Sequence, residues 1–161
     1  MMNLSPNIFR TSVNFMGCYA AIHALKIAHA ICRSSQKANV VIVCTELCTL
    51  HFQKENSIDN VTSTILFGDG CAAALVQPEK FSQKGILIKD FFSHVAFNGK
   101  ADMSWKLASS GFLMTLSGYV PDLVKEDFDK LVTQALQHAS KSKEELHTGA
   151  FIRAEKKYWK Q

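Results

Sequence analysis

Apolar positions along the chain switch between helical and strand-like spacing, and the switches predict an order of elements. Residues 20–32 are apolar nearly all round, with Lys26 as the one charge, which predicts a buried helix rather than a surface one. Residues 34–37 read as a turn. Residues 39–44 form a short β-branched run, which predicts a strand covered on both faces. Residues 45–60 are polar and loop-like, and 61–66 fit a short helix. Phe67-Gly68-Asp69-Gly70 is a turn, and 71–76 a second strand. Pro78 and charges punctuate 77–85, after which 85–92 read as a third strand. Residues 95–110 follow neither period, and 112–116 suit a short strand or helix. Residues 121–138 make an amphipathic helix, with Leu123, Val124, Phe128, Leu131 and Ala135 on one stripe and Pro121 in its first turn. Strands alternating with helices predict an α/β fold.

Composition narrows the class. The chain has 161 residues, 47% hydrophobic and 20% charged, which is enough to build a core and excludes intrinsic disorder. Only 3 prolines and 8 glycines exclude collagen-like or linker character. Apolar runs such as Val40-Val41-Ile42-Val43-Cys44 fall far short of the ~18 residues of a membrane span. Residues 1–10 show no basic stretch followed by an apolar run, so no signal peptide is expected. The 5 cysteines are an odd number and sit among apolar or small residues, which predicts free thiols and a cytoplasmic location. Cys44 and Cys48 have the look of a metal pair, but no second pair with zinc spacing follows, so no metal is expected. The net charge of +4 is mild, and its basic residues are interrupted by acidic ones, so no nucleic-acid partner is expected.

Two segments carry candidate chemistry. In Met16-Gly17-Cys18-Tyr19-Ala20-Ala21 a cysteine stands between a glycine and the start of a helix. Free N–H groups and the dipole at a helix start favour a thiolate, and glycine allows the tight backbone that brings the sulfur to an acyl group. Alone, this pattern fits a buried structural cysteine better than a nucleophile. Phe67-Gly68-Asp69-Gly70 alone is only a turn between a helix and a strand.

Together with Val43-Cys44-Thr45-Glu46 between them, the two segments form an ordered series. It resembles the type III polyketide synthases, the chalcone and stilbene synthase family of the thiolase-like fold. The resemblance runs from about Leu4 to about His138. Its carriers are Arg10-Thr11-Ser12-Val13-Asn14-Phe15-Met16-Gly17-Cys18, Val41-Ile42-Val43-Cys44-Thr45-Glu46, and Leu66-Phe67-Gly68-Asp69-Gly70-Cys71-Ala72-Ala73-Ala74-Leu75. Gly111-Phe112-Leu113-Met114-Thr115-Leu116, followed by Val120-Pro121, matches the family's second half.

The resemblance implies a partial thiolase-like fold: layered α/β/α, with a mixed sheet and a buried nucleophile helix. Residues 1–80 would be the end of the N-terminal half, and 81–146 the start of the C-terminal half. Cys18 would be the acyl-accepting nucleophile, and Phe67 the gatekeeper aromatic between the coenzyme A tunnel and the cavity. Glu46 would be a glutamate buried near the active site. Met114 stands where plant enzymes carry a second gatekeeper phenylalanine, and Cys48 and His51 where they have cavity-lining threonines. These departures fit a bacterial member better than a plant one. The substrates implied are acyl-coenzyme A and malonyl-coenzyme A, with no bound cofactor, and the intact family forms homodimers.

The family also uses a histidine in His-Pro-Gly-Gly and a later asparagine, which polarise the malonyl thioester and stabilise its enolate. The chain contains no His-Pro pair. The resemblance stops near Lys143, where that motif is due. Back-translated and read one base earlier, residues 151–161 permit His-Pro-Gly-Gly-Lys-Lys-Ile-Leu-Glu-Ala, with Leu and Glu forced by the code. Residues 147–161 are therefore expected to be a frameshifted reading of the histidine segment, and the chain an inactive internal fragment. The competing readings are a 3-oxoacyl-acyl-carrier-protein synthase III-like condensing enzyme of the same fold, and a non-catalytic remnant.

Overall fold

The computed structural model describes residues 4–81, 84–109 and 111–146; the expected frameshifted tail, 147–161, lies outside them. The chain divides into two units. One comprises Met1–Glu46 and Gly70–Lys89, the other Leu47–Asp69 and Asp90–Gln161.

The first unit is a helix on a two-stranded sheet. Helix α1 (Ala20–Ser34) packs on strands β1 (Val40–Glu46) and β2 (Gly70–Val76). The strands are antiparallel, in register from Val40 opposite Val76 to Glu46 opposite Gly70. Ala28 is fully buried, and Cys32 nearly so. The Cys32 thiol points to the Val76 carbonyl oxygen at 3.6 Å, and burial raises its pKa. Small side chains at these two positions let the helix backbone approach the sheet.

The second unit holds α2 (Ile58–Leu66), the β3–β4 hairpin (Met103–Ala108 and Gly111–Leu116) and α3 (Val120–His138). Ser57 caps α2 by accepting from the Asn60 N–H at 3.2 Å, filling one of the orphan donors of a helix start. The Asn60 amide also donates to the carbonyls of Gln53 and Glu55, each at 2.8 Å, and so stitches the preceding loop to the helix. Strand β4 packs against α2. Pro121 sits in the first turn of α3, where a missing N–H costs nothing. At the other end, His138 Nε2 stands 3.0 Å from Asp90 Oδ2.

The partial α/β fold agrees with the expectation from the alternating pattern, and several details differ. Residues 85–92 form no strand: they find no ladder partner among the described residues. The third and fourth strands come instead from 103–108, where no period was legible, and 111–116. The mixed sheet is not seen among the described residues; both sheets are antiparallel pairs. Strand β1 is covered on one face only. Val40, Ile42 and Cys44 are half-buried, whereas Val41 and Val43 are 65% and 63% exposed, because among the described residues α1 is the helix packed on this sheet. Helix α1 is likewise less enclosed than its apolar pattern predicts, with Ala28 and Cys32 as its buried residues. The loop expected over 45–60 is partly ordered: β1 continues to Glu46, and Cys48–His51 is a turn of 3-10 helix.

Candidate active site

The candidate nucleophile lies where the chain is forced into α1. Phe15 and Gly17 both have left-handed backbones, with φ of 57° and 56°. That conformation costs a side-chain-bearing residue about 1–2 kcal/mol, and glycine almost nothing. Gly17 would meet nothing within 4 Å if it carried a Cβ, so backbone conformation alone calls for glycine there. Gly17–Tyr19 form one 3-10 turn that runs directly into α1, and Cys18 is its middle residue, exposed. The Cys18 sulfur thus stands beside the N-terminal turn of a helix, as the sequence predicts.

Glu46 ends β1 opposite Gly70 and is exposed, so the burial that the resemblance implies for it is absent. Thr45 Oγ1 and Cys71 Sγ stand 3.5 Å apart across the adjoining rung.

The remaining predicted residues belong to the second unit. Phe67 caps the C-terminus of α2; its N–H donates to the Ser63 carbonyl at 2.9 Å, and the residue is half-buried. Cys48, half-buried, and His51, exposed, open and close the 3-10 turn. The Asp69 carboxylate grips that turn: it accepts from the Thr49 N–H at 2.8 Å and from the Thr49 hydroxyl at 2.6 Å. These bonds hold the Asp69 carboxyl below its ordinary range, the Thr49 hydroxyl contributing most.

His51 stands against two aromatic rings, Trp105 on β3 and Phe112 on β4. The three ring centroids lie 6.4 Å apart pairwise. Met114 is opposite Trp105 in the hairpin, so its side chain shares that face. Thus His51 and Met114 share one wall built around Trp105, and Cys48 and Phe67 are neighbours in sequence of the gripped residues Thr49 and Asp69. Cys18 and Glu46 belong to the other unit. The pattern gave no warning of Trp105 or of the Thr49–Asp69 pair, whose one trace was an aspartate between two glycines that reads as a turn; Phe112 stands in a motif that matches the family, but with no role assigned to it.

A recess of about 290 Å³ lies beside α3, lined among others by His94, Met103, Leu123 and Phe128. It contains none of the predicted site residues. No group of three or more His, Cys, Asp or Glu gathers among the described residues to hold a metal ion. None of the described helices is long and apolar enough to cross a membrane.

Comparison with known proteins identifies the family. Residues 1–79 match the model of the chalcone and stilbene synthases, N-terminal domain. The alpha-pyrone synthesis polyketide synthase-like protein Pks18 of Mycobacterium tuberculosis is 31% identical over 139 residues, 84% of this chain and 35% of that protein. A putative chalcone synthase of Bacillus subtilis is 32% identical over 129 residues, 76% of this chain and 35% of that protein. Among solved structures, 1,3,6,8-tetrahydroxynaphthalene synthase of Streptomyces coelicolor superposes with a TM-score of 0.63 at 26% identity, covering 73% of this chain and 34% of that one. PKS-I of the brown alga Ectocarpus siliculosus, at 21% identity and a TM-score of 0.73, shares the fold over 81% of this chain and 35% of its own. The chain belongs to the chalcone and stilbene synthase family, the type III polyketide synthases. It spans about a third of the length of these two curated relatives, 35% of each.

Proposed function

We propose that the chain carries the acyl-accepting part of a type III polyketide synthase, with Cys18 as the nucleophile. The observation that carries this reading is the place of Cys18: an exposed thiol at the entry to α1, after a left-handed glycine, in a member of this family. In the reaction, the Cys18 sulfur attacks the carbonyl carbon of an acyl-coenzyme A. A new thioester bond forms, the bond to coenzyme A breaks, and the thiol proton leaves with the coenzyme A sulfur. In the whole enzyme, malonyl-coenzyme A then loses carbon dioxide, and its carbanion takes the acyl group from the cysteine.

The wall formed by His51, Trp105, Phe112 and Met114 would bound the space for the growing chain, and Phe67 would stand at its entrance. Cys48 would contribute beside His51, and Glu46 near the nucleophile. The whole enzyme would act as a homodimer in the cytoplasm and need no bound cofactor.

The condensing half is not proposed for the 161 residues themselves, which lack the His-Pro pair. Release of free coenzyme A from an acyl-coenzyme A tests the loading half. The chain should release it slowly, and Cys18→Ala should abolish the release. Equal release by both proteins would refute the assignment.

A further inference from the structure

The turn Cys48–His51 lacks a cap of its own. Its preceding residue, Leu47, has no side-chain oxygen to offer, and no side-chain cap bond is made there. The N–H groups at the start of such a turn need an acceptor. Asp69 supplies it from 20 residues further along the chain. Its two carboxylate oxygens each take one bond from Thr49, Oδ1 from the N–H and Oδ2 from the hydroxyl. Two bonds from one carboxylate to one residue fix orientation as well as distance. The far end of the same turn is His51, in ring contact with Trp105 and Phe112.

We infer that Asp69 is a positioning residue, a remote cap that holds the Cys48–His51 turn and thereby sets His51 against Trp105 and Phe112. Calling that wall part of a substrate cavity rests on the proposed function; the positioning itself does not. Thr49 is the matching half of the device. A residue without a hydroxyl at that position would lose the bond to Oδ2 and keep only the backbone bonds from Cys48 and Thr49.

The test uses the full chain carrying Trp159→Phe, which leaves Trp105 as the one tryptophan. His51 stands against the Trp105 ring, so the readout is Trp105 emission at a fixed neutral pH, with its quenching by acrylamide. His51→Gln should change both signals and so define the contribution of that contact. Thr49→Ala and Asp69→Ala should each reproduce most of that change, and Thr49→Ser should keep the parental signals. Far-UV circular dichroism checks that helix content is retained, and Thr49→Ala serves as the milder variant if Asp69→Ala fails to fold. Parental signals in Thr49→Ala would overturn the inference, as would signals that His51→Gln leaves unchanged. No thioester enters the experiment, so it and acyl loading at Cys18 fail independently.

Discussion

Tyr19 meets His23 edge to face, with ring centroids 4.6 Å apart and planes at 89°. The Tyr19 hydroxyl also accepts from Lys26 Nζ at 3.1 Å. The residue after Cys18 is therefore held by the first two turns of α1, which fixes the thiol beside the helix start.

That arrangement predicts an order of cysteine reactivity. Cys32 is buried and its thiol is pushed up by desolvation, while Cys44 and Cys48 are half-buried. Cys71 is exposed but stands against Thr45 Oγ1 at 3.5 Å. Limited iodoacetamide treatment at neutral pH, read by peptide mass spectrometry, should label Cys18 first. Earlier labelling of Cys32 or Cys71 would contradict the nucleophile assignment.

The packing of α1 on its sheet gives a stability prediction. Ala28 has no exposed surface, so a larger side chain must push the helix off β1 and β2. Ala28→Leu should cost about 1–3 kcal/mol, seen as a lower urea midpoint with helix content otherwise preserved. An unchanged midpoint would mean that the helix does not lie on this sheet in solution.

The Thr49–Asp69 bonds predict a pH dependence with a definite sign. Asp69 titrates lower in the folded protein than its ordinary value of 3.8. Its contribution to stability is thus fully present above that value and is lost as pH falls through the depressed folded value. Thr49→Ala should be less stable than the parent at neutral pH, and the gap should narrow below about pH 4. Urea midpoints measured at neutral and acid pH check this; a gap that widens on acidification would reverse the sign.

How far the sequence disclosed these features depended on how local their causes are. The β-branched run of β1, the Pro121 start of α3 and the Gly17 turn before Cys18 are local, and each is legible. The strand at 103–108 was not, because Met103-Ser104-Trp105-Lys106-Leu107-Ala108 becomes a strand through its partner, 111–116, rather than through its own propensity. The reverse error at 85–92 has the same cause: β-branched residues without a ladder partner make no strand. Among the candidate residues, Cys18 and Phe67 stand in ordered motifs and are singled out by them. Trp105 and Thr49 were not, since their partners lie in distant segments and leave no mark on local spacing.

Condensation should fail in this chain. Decarboxylation develops charge on the malonyl thioester oxygen, and one preorganised donor there is worth about 3–4 kcal/mol. The histidine of a His-Pro pair that would supply one is absent from the sequence. Radiolabelled malonyl-coenzyme A with a panel of acyl-coenzyme A starters should give no polyketide above a Cys18→Ala control. Product above that control would mean that another residue of the chain does the histidine's work.

The most direct measurement is to find which cysteine takes the acyl group. The full chain would be incubated with an acyl-coenzyme A, quenched in acid to preserve the thioester, digested and mapped by mass spectrometry. The account predicts trace acylation, confined to the peptide bearing Cys18 and missing from Cys18→Ala. Acylation centred on Cys71 or Cys48, or an equal signal in the Cys18→Ala chain, would contradict it.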